Sequence, residues 1–145
     1  MRVETLLYDE IRNHDLCPGA TTIDEWSNKT WLETRIGNRV VPIFPLWPIR
    51  DALSKHDIHH VLTGYETDIK GESELAAWEL GSGGCHFNLI FWIDRVSFFL
   101  IGLLTFPAAT VRAMRRGFRC RNLFSKQLDV VLASDIEDIR SELNL

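Results

Sequence analysis

The 145-residue chain has no internal repeat, no low-complexity tract and little cysteine. Its three cysteines, Cys17, Cys85 and Cys120, are odd in number and lack paired spacing, which indicates no disulfide framework and fits a reducing compartment. No apolar run reaches the roughly 20 residues that cross a bilayer. The longest stretch free of charge, Val96 to Val111, has 16 residues and contains Gly102 and Pro107. The start, Met1-Arg2-Val3-Glu4 leading into Tyr8-Asp9-Glu10, lacks the apolar core of a signal peptide and is too acidic for a transit peptide. Positive charge is not in excess: 16 basic against 20 acidic residues leave a net charge of -4, which argues against nucleic-acid binding. With 46% hydrophobic and 25% charged residues the composition is that of a globular chain, and the length suits one domain.

What the chain does have is histidine in one place. Three of its five histidines, His56, His59 and His60, fall within five residues, beside Asp57. If Pro48 opens a helix, Ile49, Leu53, His56 and His60 share one narrow stripe, and Ile58 and Leu62 fall on the opposite side. The imidazoles then point where core leucines point, and the helix is covered all round. Two histidines at i, i+4 can reach one ion. Thr63-Gly64 ends this helix, and Thr67 or Asp68 caps a second over Gly71 to Leu80. Glu72 lies in its first turn, which a helical hairpin brings back toward the histidines. His56, His60 and Glu72 then form a two-histidine, one-carboxylate set suited to zinc or another divalent transition metal. Asp57, a methylene shorter than a metalloprotease glutamate, fits a direct ligand or an orienting partner. The plain alternative is a surface cluster in which Asp57 and Glu72 are solvated.

The pattern His56-Asp57-x-x-His60, eleven residues and Glu72, with Val61-Leu62-Thr63-Gly64-Tyr65 and Gly71, resembles the signature of the coenzyme Q (ubiquinone) biosynthesis protein 4 family. Arg115-Arg116-Gly117, Asn122-Leu123-Phe124 and Ile136 through Ile139-Arg140 to Leu143 follow the order of that family's tail. The resemblance is firm over about residues 48 to 81 and weaker over about 107 to 145. Residues 1 to 46 carry none, and the chain is short. The resemblance implies an all-helical, membrane-associated protein with a metal at His56, Asp57, His60 and Glu72 and a cavity for an isoprenoid tail. Such proteins act on the aromatic head group of ubiquinone precursors, replacing the ring carboxyl by a hydroxyl, or organise the biosynthetic complex.

Elsewhere, residues 3 to 13 suit a short helix with Val3, Leu6, Leu7 and Ile11 inward. His14, Asp15 and Cys17 are a weaker metal candidate. Thr22-x-x-Glu25 reads as a capping box opening a helix through about Arg35, with Trp26 and Trp31 as packing anchors. Gly37 to Trp47 is extended, a lone strand or hairpin arm near 38–46 that lays Phe44 and Trp47 over the central helix. Gly81-Ser82-Gly83-Gly84 is a joint, after which Cys85-His86 could offer a soft ligand. Phe87 to Thr105 reads as a buried helix or one with a lipid-facing side, its Phe91, Phe98 and leucines forming a core or a cavity wall. Arg112, Arg115, Arg116 and Arg119 share a helical face opposite Val111, Met114 and Phe118. This basic face suits anionic head groups, a substrate anion or plain solvent. Ser134-x-x-Glu137 caps a last helix with Ile136, Ile139 and Leu143 inward.

The expectation is an all-α single domain: a divergent N-terminal region (1–46), a metal-motif helical hairpin (47–82), then apolar, basic amphipathic and C-terminal helices (85–145). The metal is zinc, or iron or manganese where oxygen chemistry is involved, and Asp57 and His60 are the candidate catalytic residues. The expected function is a metal-dependent, oxidative decarboxylase of a prenylated hydroxybenzoate; the alternatives are an isoprenoid-lipid-binding scaffold with a structural metal or a metal-dependent hydrolase. Expected partners are a prenylated aromatic or isoprenoid lipid, a membrane surface on the cytoplasmic side, other quinone-biosynthesis proteins and a second copy as homodimer, with no nucleic acid. Without membrane contact the expected location is the cytoplasm.

Overall fold

The computed structural model describes residues 1–14, 25, 28, 30–36, 38–45, 49–86 and 88–145. Among these the chain is mostly helical, as expected. Helix α1 (Val3–His14) precedes an antiparallel hairpin of β1 (Trp31–Ile36) and β2 (Arg39–Pro45). Six helices follow: α2 (Arg50–Thr63), α3 (Ile69–Gly81), α4 (Leu89–Thr105), α5 (Pro107–Gly117), α6 (Leu128–Ala133) and α7 (Ile136–Leu143).

Strand β2 is the expected extended segment, but β1 corrects a helix expected to run through about Arg35. Thr34 and Ile36 are β-branched and pair with Val41 and Arg39, so cross-strand pairing prevails over the capping signal upstream. Thr22, Trp26, Trp47 and the Asp15 and Cys17 of the weaker metal candidate lie outside the described residues, as does the Phe44 side chain.

Helix α2 is buried from Ala52 to Thr63 except at half-buried Leu53 and Asp57. Ile58, Val61 and Leu62 join Val3, Leu7, Leu123, Val131, Ile136, Ile139 and Leu143 in the largest apolar cluster, leaving His56 and His60 on another side. Gly64 ends the helix at φ 77°, the left-handed conformation that glycine adopts without strain. Two distant arginines finish the job. Arg116 Nη1 donates to the Thr63 carbonyl at 3.1 Å, and Arg140 Nε donates to that of Leu62 at 3.3 Å. They satisfy last-turn acceptors and set positive charge at the negative end of the helix dipole.

Asp68 caps α3 by accepting from the Gly71 amide at 2.7 Å. A Cβ at Gly71 would lie 1.9 Å from the Glu66 carbonyl oxygen, so only glycine lets the connection fold across the turn that carries Glu72. Leu75, Ala77 and Trp78 of α3 pack on Ala113 of α5. The two backbones approach closely, since a Cβ at Gly117 would meet the Trp78 carbonyl oxygen at 2.3 Å. The buried stripe of α5 is therefore Ala109, Thr110, Ala113 and Gly117. Val111 and Phe118, placed opposite the arginine face, are exposed, because small residues are what this approach admits.

Asn88 caps α4, accepting from the Phe91 amide at 3.1 Å. Of this helix only Phe91, Arg95 and Gly102 are buried; Leu89, Ile93, Leu100 and Leu104 are exposed. It is thus a half-covered helix and not a core one. No helix of the described residues is long and apolar enough to cross a membrane. In α7, Ile136, Ile139 and Leu143 are buried as expected, but Asp135 is the cap, accepting from the Glu137 amide at 2.9 Å. Ser134 instead turns back to the Val130 carbonyl at the end of α6.

Gly117→Leu should force α3 and α5 apart and destabilise the fold by about 1–3 kcal/mol. The expected reading is a lower urea midpoint with helical circular dichroism retained in the absence of denaturant.

Candidate metal centre

His56 and His60 sit one turn apart on α2, and Glu72 faces them from the first turn of α3. His60 Nε2 lies 3.3 Å from His56 Nε2 and 3.0 Å from Glu72 Oε1; His56 Nε2 lies 3.3 Å from Glu72 Oε2. The ligand atoms of these three residues all lie within 4.8 Å of one another, and no other such group occurs among the described residues. Asp57 is half-buried and stands outside this group of three. Cys85, half-buried with its thiol pushed up by burial, and exposed His86 also stand outside it.

The donor chemistry fits a cation. His60 Nδ1 lies 2.9 Å from the Tyr65 carbonyl oxygen, which only accepts, so Nδ1 carries the hydrogen and Nε2 faces the centre with its lone pair. His56 likewise turns Nδ1 to a carboxylate oxygen of Glu79, at 3.0 Å, and Nε2 inward. Bare nitrogens and carboxylate oxygens then face one another at 3.0–3.3 Å. In the metal-free protein a proton on His56 and Arg95 Nη1, 3.2 Å from His56 Nε2, supply the positive charge such atoms need. An ion can take that place, since the spacing is close to the roughly 3.3 Å between ligands of a tetrahedral ion with bonds near 2.0 Å.

Two charged residues complete the surroundings. Glu79, two turns beyond Glu72 on α3, is almost wholly buried. Arg95 reaches in from α4, also buried, with Nη1 3.3 Å from Glu72 Oε2, 3.7 Å from Glu79 Oε2 and 3.1 Å from His56 Nδ1. Its guanidinium carbon lies 5.3 Å from the Phe91 ring centre and 5.2 Å from that of Phe98, so the fixed charge is walled by aromatic faces.

Neither Glu79 nor Arg95 was singled out from the sequence. A signal existed for each: Glu79 follows Glu72 by seven residues, on the same helical face, and Asp94-Arg95 is the lone charged interruption of the apolar run. Of the four arginines proposed as a basic face, Arg112, Arg115 and Arg119 are exposed, whereas Arg116 is half-buried at the end of α2 with its guanidinium 5.5 Å from the Tyr65 ring. None of them belongs to the histidine cluster.

The electrostatics of the metal-free site follow from burial and pairing. Burial and the Arg95 charge oppose a proton on His56, but Glu79 and Glu72 outweigh them and raise it to about 9. Burial alone would raise both carboxyls, yet hydrogen bonds and charge from His56 and His60 hold Glu72 well below the usual range, and His56 and His59 do the same for Glu79. Burial lowers His59 despite Glu79.

No family model, curated protein or solved structure matches the chain. The functional reading therefore rests on the cluster itself and on the motif that first pointed to it.

The pH dependence of the metal-free protein has a defined sign. The raised His56 contributes stability in full below its ordinary value of 6.5, lost as pH rises through about 9. His59, held neutral, contributes stability that is lost as pH falls below 6.5, and Glu72 and Glu79 add to that loss below 4.5. Urea unfolding of metal-free protein should show maximal stability near pH 6.5; stability that keeps rising from pH 6.5 to 9 would contradict the His56 assignment.

Proposed function

We propose that this chain is a metal-dependent protein of ubiquinone-type biosynthesis that acts on the head group of a prenylated hydroxybenzoate. The observation that carries the reading is the convergence of His56 Nε2, His60 Nε2 and the Glu72 carboxylate, three of the four residues that the resemblance to the coenzyme Q biosynthesis protein 4 family implies; the fourth, Asp57, stands outside the group. His56, His60 and Glu72 would hold a divalent ion, zinc, or iron or manganese where the ring is also hydroxylated. When bound, that ion would supply Lewis acidity for charge developing on a head-group oxygen as the ring carboxylate departs.

The chain's own residues have separable roles in this reading. Glu72 and the two imidazoles fix the donor set. Arg95, buried between Phe91 and Phe98 and shared with Glu72 and Glu79, would orient the substrate's carboxylate before it leaves as carbon dioxide with its electron pair left on the ring. His60, with one ring nitrogen facing the ion and the other donating to the Tyr65 carbonyl, has none left to handle a proton, which leaves Asp57 as the candidate of the two.

A second reading, an isoprenoid-lipid-binding scaffold with a structural metal, is favoured by one feature. Helix α4 exposes Leu89, Ile93, Leu100 and Leu104, and the adjoining α5 segment exposes Arg112, Arg115 and Phe118. Exposed apolar and basic groups on consecutive helices suit a peripheral contact with an anionic membrane surface.

Elemental analysis of purified protein is expected to give close to one divalent ion per chain, lost in the His56→Ala, His60→Ala double variant. Turnover of a prenylated hydroxybenzoate by metal-loaded protein supports the enzyme; lipid binding with no product supports the scaffold. Separately, Arg112→Glu with Arg115→Glu should weaken co-sedimentation with anionic vesicles at least tenfold, at about 1 kcal/mol per charge removed and more for reversal. Equal binding of both proteins to neutral and anionic vesicles would remove the membrane contact.

A further inference from the structure

His59 is the third histidine of the motif and the most deeply buried, yet it takes no place among the three converging residues. Its own contacts explain why. The Leu123 amide points at His59 Nε2 from 3.0 Å, and an amide can only donate, so Nε2 is the acceptor and the hydrogen of the neutral ring is on Nδ1. That Nδ1 donates to Glu79 Oε1 at 2.7 Å. The same oxygen accepts from His56 Nδ1 at 3.0 Å. The Trp78 and Phe124 rings meet the His59 ring edge to face at 5.0 and 4.9 Å.

The order of donation runs one way: Leu123 amide to His59, His59 to Glu79, and His56 to Glu79 from the other side. In a metal-bound His56, whose ring has one hydrogen, a carboxylate that receives that hydrogen at Nδ1 leaves Nε2 bare for the ion. From this geometry we propose that Glu79 is a positioning residue for the metal centre, one that holds His56 as an Nε2 ligand, and that His59 and the Leu123 amide hold Glu79. Tyr65 does the same for His60 through its carbonyl, but with a backbone group that no side-chain substitution removes. Arg95 Nη1 also lies 3.1 Å from His56 Nδ1, but a guanidinium only donates, so of the two side chains there only Glu79 can accept the hydrogen. A carboxylate bound to the far nitrogen of a ligand histidine also makes that ligand more basic, and loss of such partners commonly weakens metal binding by about 10- to 100-fold.

The inference rests on the metal reading above, and the test separates the two. Zinc titration would be run on wild type, Glu79→Gln and Glu79→Ala, with thermal unfolding of each in the metal-free state. Nitrogen-15 correlation spectra of the imidazoles in zinc-loaded wild type would report which ring nitrogens carry hydrogen. Expected are Nδ1–H on both His56 and His59 in wild type, a Kd about tenfold weaker in Glu79→Gln and about 100-fold weaker in Glu79→Ala. A folded Glu79→Gln with the wild-type Kd and only a lower Tm would make Glu79 structural and overturn its positioning role while the centre stands. Hydrogen on His56 Nε2 in the zinc-loaded protein would overturn it too, even if neither variant folds. Wild type that takes up no zinc, iron or manganese would overturn the centre and the role of Glu79 together.

Discussion

Two carboxylates on one face of α3, Glu72 in large part and Glu79 almost wholly, are removed from water by α2 and α4. An ionised carboxylate out of water is strongly unfavourable unless charge and hydrogen bonds meet it. Here they are met by His56, His59 and His60 from one side and Arg95 from the other. The side chains that surround the pair can be traced to that requirement. Removing any one partner would leave the others in a low-dielectric setting with unbalanced charge, so the cluster behaves as a unit.

This requirement also accounts for the unusual character of α2. A helix with a solvated face would hydrate its histidines and release the carboxylates from them. Instead the apolar side of α2 seats on the main core while Lys55, itself buried, is satisfied by Asp51 at 2.7 Å and by the Phe124 carbonyl at 3.2 Å. Helix α4 meets the opposite demand: its inner side carries the one cation aimed at the carboxylates, and its outer side is left apolar and bare. The segment 122–124 ties these parts together, since Asn122 donates to the Ser82 and Gly84 carbonyls at 3.1 Å while Leu123 reaches His59.

Much of this was legible in the residue order. The two helices of the motif, their stop at Gly64, the cap at Asp68 and the pairing of His56 with His60 and Glu72 follow from spacing and capping chemistry that act within a turn or two. What was not legible depends on approach between distant segments. Trp31–Ile36 became a strand because of its partner, and the inward face of α5 was chosen by how near α3 comes, which favours Ala113 and Gly117 over Met114 and Phe118. Glu79 and Arg95 carry ordinary exposed-residue identities, and only the packing of three helices shows that both are interior. Asp57, chosen by adjacency to His56, lies a full 100° round a helix from it and outside the converging group.

The capping of α2 has a bearing on how the histidine motif could be moved or shortened. A peptide from Arg50 to Gly81 would include every converging donor, and Glu79 as well. It would lack Arg116 and Arg140, which occupy the last carbonyls of α2, the Phe124 carbonyl that receives Lys55, and the Leu123 amide that orients His59. The donors are contiguous in the chain, but the framework that aims them is not. The motif is therefore no transplantable cassette: grafted onto another helical hairpin it would bring its ligands without the distant groups that keep them in register.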